Sequence, residues 1–195
     1  METDVELLAR LRDGDEHAFV MLVERYQPSM VRLARSMVPS PAVAEEVVQD
    51  TWMGVVRGLE RFEGRSSFKT WLFRILANRA RTAGWHEQRQ TRGNRGRAVD
   101  PSRFAAGGQW AEPVEPWVEE SDDRMDAAEW APVLRAALEE LPQRQRQVVL
   151  LRDLEGLSGS EVCAVLDISA GNQRILLHRA RNHLRERVDA AVGRS

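Results

Sequence analysis

Apolar residues recur along this chain at the 3.6-residue spacing of helices, and no stretch sustains the two-residue alternation of a strand. After Asp15, a capping residue, Phe19, Leu22, Val23 and Tyr26 share one face at i, i+3, i+4 and i+7. Gln27-Pro28 predicts a break, with Pro28 in the first turn of a second helix carrying Val31, Leu33, Ala34 and Val38. Pro39-Ser40-Pro41 punctuates again. Ser40 as cap and Pro41 at the first position open a long helix to about residue 59, with Val43, Val47, Val48, Thr51, Trp52, Val55 and Val56. A short loop, 61–67, then leads into a helix from Phe68 to about Trp85.

The period is lost from about Glu87 to Asp126, where Gly93, Gly96, Gly107, Gly108, Pro101, Pro113 and Pro116 fall. Such a stretch cannot bury enough apolar surface to fold alone and reads as a flexible linker. A passive tether and an extended element seated in a positively lined channel of a partner both fit it. Periodicity resumes near Ala127, with Trp130, Val133, Leu134, Ala137, Leu138 and Leu141 on one face up to Pro142. A short helix with Val148 to Leu151 stops at Glu155-Gly156. Ser158 and Glu161 then form a capping box on a helix through Leu166. Asp167-Ile168-Ser169 makes a three-residue turn before a last helix from Ala170 to about Val192. The expected fold is all-α: a helical domain over 1–86, the linker over 87–126, and a second helical domain over 127–195 with a helix-turn-helix.

Composition narrows the class. The 195 residues are 43% apolar and 30% charged, enough for compact cores. A single cysteine, Cys163, excludes an internal disulfide or a thiolate metal cluster. No apolar run approaches the ~20 residues of a membrane span, and the acidic start lacks the pattern of a signal peptide. A cytoplasmic protein without membrane insertion is expected. The net charge of −2 conceals segregation: residues 74–97 hold seven Arg and one Glu, 112–126 seven acids and one Arg, and 174–187 five Arg and one Glu. Local patches and not the sum govern polyanion binding, so a nucleic-acid partner stays open.

On the last helix, Leu177, Ala180, Leu184 and Val188 are spaced to face a core. That leaves Asn172, Arg174, His178, Arg179, Arg181 and Arg185 for the other faces. Amide and guanidinium groups near the start of a recognition helix, here following Ser169, can bond base edges, and Arg farther along neutralises phosphate. The first block holds a second basic helix, with Arg74, Arg79 and Arg81 near Asn78, preceded by Phe62, Phe68, Trp71 and Phe73. Aromatics flanked by cations hold unpaired strands, although an aromatic at helical spacing, such as Phe68 or Trp71, is usually core. The loop Arg61-Phe62-Glu63-Gly64-Arg65-Ser66-Ser67 could line a pocket for an extruded base. No enzyme motif, metal cluster or cofactor site is recognisable. The four His are scattered, and G-x-S-x-G, H-E-x-x-H and GKS/T do not occur.

Several motifs, in order, carry a resemblance. Ala44-Glu45-Glu46-Val47-Val48-Gln49-Asp50-Thr51-Trp52 resembles segment 2.2 of sigma-70-type initiation factors. Arg61-Phe62, Ser67 to Ile75, and Asn78 are similar to segments 2.3 and 2.4. Leu141-Pro142, Arg144, Val148, Leu150, Glu155-Gly156-Leu157-Ser158, Glu161-Val162, Leu177-His178-Arg179-Ala180-Arg181 and Leu184-Arg185 are similar to region 4. Two such regions joined by a linker resemble the extracytoplasmic-function (group 4) sigma factors. The resemblance implies binding to core RNA polymerase, both β′ and β, with Glu46, Gln49, Asp50 and Trp52 meeting the β′ clamp helices. Arg61, Phe62, Arg65, Ser66, Phe68, Lys69, Trp71, Arg74, Asn78 and Arg79 would melt and capture the minus-10 element. Ser169, Asn172, Gln173, Arg174, His178, Arg179 and Arg181 would read the minus-35 duplex of promoter DNA. An anti-sigma factor and an acidic linker threading toward the RNA exit channel are also implied.

One segment departs from the family. Where Gly-Thr-Val-Lys-Ser-Arg is common, this chain has Gly171-Asn172-Gln173-Arg174-Ile175-Leu176. Leu176 in place of Arg removes a cation, while Asn172 and Gln173 could read adenine. The other readings to be weighed are a stand-alone helix-turn-helix regulator and a polymerase-binding adaptor that never reads promoters.

Overall fold

The computed structural model describes residues 2–92 and 127–192. Among them are eight α-helices and no strand: α1 (Asp4–Arg12), α2 (Glu16–Arg35), α3 (Pro41–Gly58), α4 (Phe68–Arg92), α5 (Ala127–Glu140), α6 (Gln143–Val149), α7 (Gly159–Leu166) and α8 (Ala170–Val192). Helix α1, which the apolar period alone does not delimit, opens with a capping box between Thr3 and Glu6 and buries Leu7 and Leu8. Asp15 and Ser40 cap α2 and α3 as expected, and Pro41 occupies the first turn of α3.

Two boundaries differ from expectation. Residues 16–35 form one helix with Pro28 inside it, not two helices. Pro28 costs the helix a backbone hydrogen bond, but Leu22, Tyr26, Met30 and Leu33 on either side of it are all buried in one core, and that shared face carries the helix through. Helix α4 continues to Arg92, taking in the first six residues of the linker expected to start at 87. The remainder of that linker, including the acidic stretch 112–126, lies outside the described residues.

In the first half α2, α3 and α4 surround Leu22, Met30, Leu33, Val48, Val55, Leu72, Phe73 and Leu76, all buried. A 3-10 turn (Leu59–Arg61) carries the chain from α3 into the 62–67 loop. Arg12 fixes that exit from a distance, donating to the carbonyls of Phe62 at 2.6 Å and Leu59 at 3.3 Å. In the second half α8 packs on α5 and α6 around Leu141, Val149 and Ala180. A π turn (Leu150–Leu154) leads to α7, and the α7–α8 turn closes on Asp167 in the left-handed conformation (φ 56°). Val148, Leu151, Leu157, Val162, Val165 and Leu166 face the other way and join the core of the first half in one continuous apolar cluster.

Candidate nucleic-acid and polymerase interface

Three surfaces carry the residues singled out above. The first is the outer edge of α3. Glu46, Gln49 and Asp50 stand exposed along it, because Val47, Val48 and Thr51 turn the opposite stripe inward. Trp52 does not belong to this edge. It is 7% exposed, donates from Nε1 to Gln27 Oε1 at 2.8 Å and meets Phe19 edge-on at 5.6 Å. Its role is to brace α3 against α2 and to floor a shallow hollow lined by Phe19, Gln49, Met53, Val56 and Arg57. Met53 and Val56 are about half exposed. Sequence spacing did not single them out, since Val56 reads as part of the buried stripe.

The second surface surrounds the start of α4. Phe62 and Trp71 lie 4.8 Å apart at a tilt of 35°, both half-buried. Arg61, Arg65 and Ser66 stand exposed beside them, with Gly64 at φ +71° turning the loop. Arg65 is held by Glu63, its Nε donating to Oε2 at 2.7 Å. Arg74 and Asn78 are exposed along α4, and Asn78 accepts from Arg81 at 2.6 Å. Two expected contacts fall elsewhere. Phe68 is 3% exposed between Tyr26, Phe62 and Trp71 and is core. Arg79 lies back over α3, so close that a Cβ on Gly54 would sit 2.7 Å from its Nη2, and it faces Asp50 at 3.6 Å. Lys69 is turned toward the second half of the chain.

The third surface is the start of α8. Ser169 accepts from the Asn172 backbone N–H at 3.2 Å, so its side chain caps the helix. Asn172, Arg174, His178 and Arg179 are exposed. Gln173 is not: it is 5% exposed, and a Cβ on Gly159 would lie 3.6 Å from its Oε1. It faces α7, so it corrects the expectation of an adenine-reading amide. Arg181 is likewise taken up, bidentate on Asp153 at 3.0 and 2.6 Å. Donating to Asp153 raises the guanidinium pKa further. Leu176, where the resemblance expects Arg, packs partly buried against the shared core. Among the described residues no group of three or more His, Cys, Asp or Glu is placed to hold a metal, and no helix is long and apolar enough to cross a membrane.

Comparison with known proteins agrees with this layout. The Sigma-70 region 2 family model matches residues 22–90, and that of Sigma-70, region 4 matches 133–184. The chain is 33% identical over 192 residues to the ECF RNA polymerase sigma-E factors of Salmonella typhimurium strain LT2 and Escherichia coli K12, spanning 98% of this chain and 97% of each relative. Among solved structures, CnrH in complex with the cytosolic domain of CnrY aligns with a TM-score of 0.58 at 26% identity, over 97% of this chain and 99% of that one. The sigma factor RpoE of Bartonella quintana, in complex with the anti-sigma factor NepR, shares the fold with a TM-score of 0.60 at 23% identity, over 88% and 96%. Two sigma regions in this order, bearing two exposed basic faces, identify the chain as a member of the sigma-70 family of RNA polymerase sigma factors, in its extracytoplasmic-function branch.

Proposed function

We propose that this sigma factor divides promoter recognition among the three surfaces, with the chemistry of RNA synthesis left to the polymerase. Glu46, Gln49 and Asp50 would engage a basic helical element of the core enzyme, with the Met53–Val56 hollow beside them taking an apolar side chain. Arg61, Phe62, Arg65, Ser66, Lys69, Trp71, Arg74 and Asn78 would capture the unpaired minus-10 strand, the Phe62–Trp71 pair offering a stacking platform ringed by cations. Asn172, Arg174, His178 and Arg179 would enter the major groove at minus-35, with Ser169 positioning them through the helix cap.

The observation that carries this reading is the α3 edge. A promoter-binding regulator acting alone has no use for an exposed row of acid and amide groups beside an open apolar hollow. An adaptor blind to DNA has no use for the two basic faces. The RpoE structure, a sigma factor in complex with an anti-sigma factor, also supports an anti-sigma protein as a partner here, and the polymerase partner implies action in the cytoplasm. Run-off transcription with purified core polymerase on a genomic promoter library tests the reading. The wild type should direct initiation from a defined promoter set. Gln49→Ala with Asp50→Ala should lose co-purification with core polymerase while keeping its helicity. Retention of full polymerase binding by that double variant would sink the α3 assignment.

A further inference from the structure

Helix α8 turns an apolar side chain outward among its polar reading groups. Ile175 is 40% exposed, and among the described residues of α8 no other large apolar side chain stands so far out. The opposite side of the helix fixes its direction. Gln173 is buried against α7, and Ala180 is buried with Leu141 and Val149. At about 100° per residue, Ile175 points roughly 140–160° away from both. Asn172, His178 and Arg179 are exposed and fall within about 60° of Ile175 around the helix axis. Ile175 therefore lies at the centre of the polar stripe, within the first two turns of the helix, and not at its margin.

Folding does not account for this residue. A β-branched side chain gives up rotamer freedom in a helix, and Ile175 recovers little of that loss through burial. A lone surface isoleucine elsewhere would need no explanation, but here the neighbours specify the partner. An amide, an imidazole and a guanidinium suit a surface that is anionic and rich in acceptors, and the isoleucine between them needs an apolar spot on that surface. In the major groove that spot is the 5-methyl group of thymine, which sits beside the O4 acceptor. Cytosine presents an amino group there and no methyl. Where the resemblance expects Ser and Arg, this chain has Ile175 facing out and Leu176 packed inward. Two donors are thereby exchanged for one surface that senses only methyl groups.

We propose that Ile175 is a specificity-determining residue of minus-35 recognition, packing on a thymine methyl and favouring T·A over C·G at one position of the element. The proposal rests on the reading of α8 as the minus-35 helix.

Atomic substitution in the DNA tests it without disturbing the protein. Deoxyuridine keeps the hydrogen-bonding groups of thymidine and lacks only the methyl. Each minus-35 thymine of a promoter that the holoenzyme transcribes, on either strand, is replaced in turn, and holoenzyme affinity is measured. One replacement should weaken the wild type about fourfold, the worth of one buried methyl. Holoenzyme carrying Ile175→Ala should bind thymine and uracil at that position alike, and Ile175→Val should keep part of the preference. Alanine is the better helix former, and circular dichroism checks the fold. A flat scan with the wild type overturns the contact, as does a preference that Ile175→Ala retains in full. Weakened binding of core polymerase by Ile175→Ala without DNA, together with a flat scan, assigns the side chain to the polymerase and overturns it too. Scrambling the whole minus-35 element without loss of wild-type affinity overturns the minus-35 reading itself.

Discussion

Asp167 ends α7 with φ at +56°, a conformation that side chains with a Cβ rarely adopt. Aspartate tolerates it better than most, and its carboxylate is largely exposed, 3.8 Å from Arg81. A pair so exposed contributes little, so the turn geometry and not the charge sets what this position accepts. Asp167→Val should destabilise the second half by about 1–2 kcal/mol, the cost of a left-handed residue. Asp167→Gly should be tolerated. Urea denaturation of the full chain checks both, and equal losses in the two variants would show that the carboxylate matters more than the backbone. Single residues are also where the sequence was hardest to read. Gln173, Arg79 and Arg181 have the composition of a DNA-facing set, yet each is taken up by a neighbour distant in sequence: Gly159, Gly54 with Asp50, and Asp153. Helical spacing assigns a face, but which long polar side chain folds back onto another helix depends on that helix's position.

Capping shows how far element-level reasoning reaches. The Ser158–Glu161 box, the Ser40 and Asp15 caps and the 167–169 turn were all legible, because each satisfies backbone groups within a few residues of itself. The continuity of α2 through Pro28 was not, since it depends on a core assembled from three helices. Glu161 belongs to both kinds. Its carboxyl is held down to about 2, first by the Thr70 hydroxyl and then by the Ser158 backbone and hydroxyl. With the folded value below the ordinary 4.5, the stabilisation is complete above that pH and is lost as pH falls toward 2. Glu155 is shifted in the same direction, the bonds from Ser29, Lys69 and Arg32 outweighing a desolvation that acts the other way. Acidification through this window should therefore release α7 from α4. Solution scattering against pH should show the expansion, and Glu161→Gln should reduce its dependence on pH. An unchanged acid response in that variant would assign the transition to other carboxylates.

At the scale of the whole molecule, the linker must reconcile halves that pack on one another with a partner site longer than the protein. Each half, at about 70–90 residues, is roughly 30 Å across. Spanning the ~85 Å between promoter elements therefore leaves a gap of about 55 Å to bridge. The chain between Arg92 and Ala127 reaches about 110 Å at full extension, at ~3.3 Å per residue, a twofold margin. Ten residues would reach about 33 Å and fall short. Cutting this segment to about ten residues should then abolish initiation at promoters that need both elements, while strand capture by the first half and duplex binding by the second persist. Initiation left intact by the shortened segment would mean that its reach is not limiting. Replacing the same segment at full length with a neutral sequence separates reach from charge. If neutral replacement restores initiation completely, the acidic stretch acts as a tether, whereas altered abortive initiation with promoter binding intact would place its charge in a channel of the polymerase.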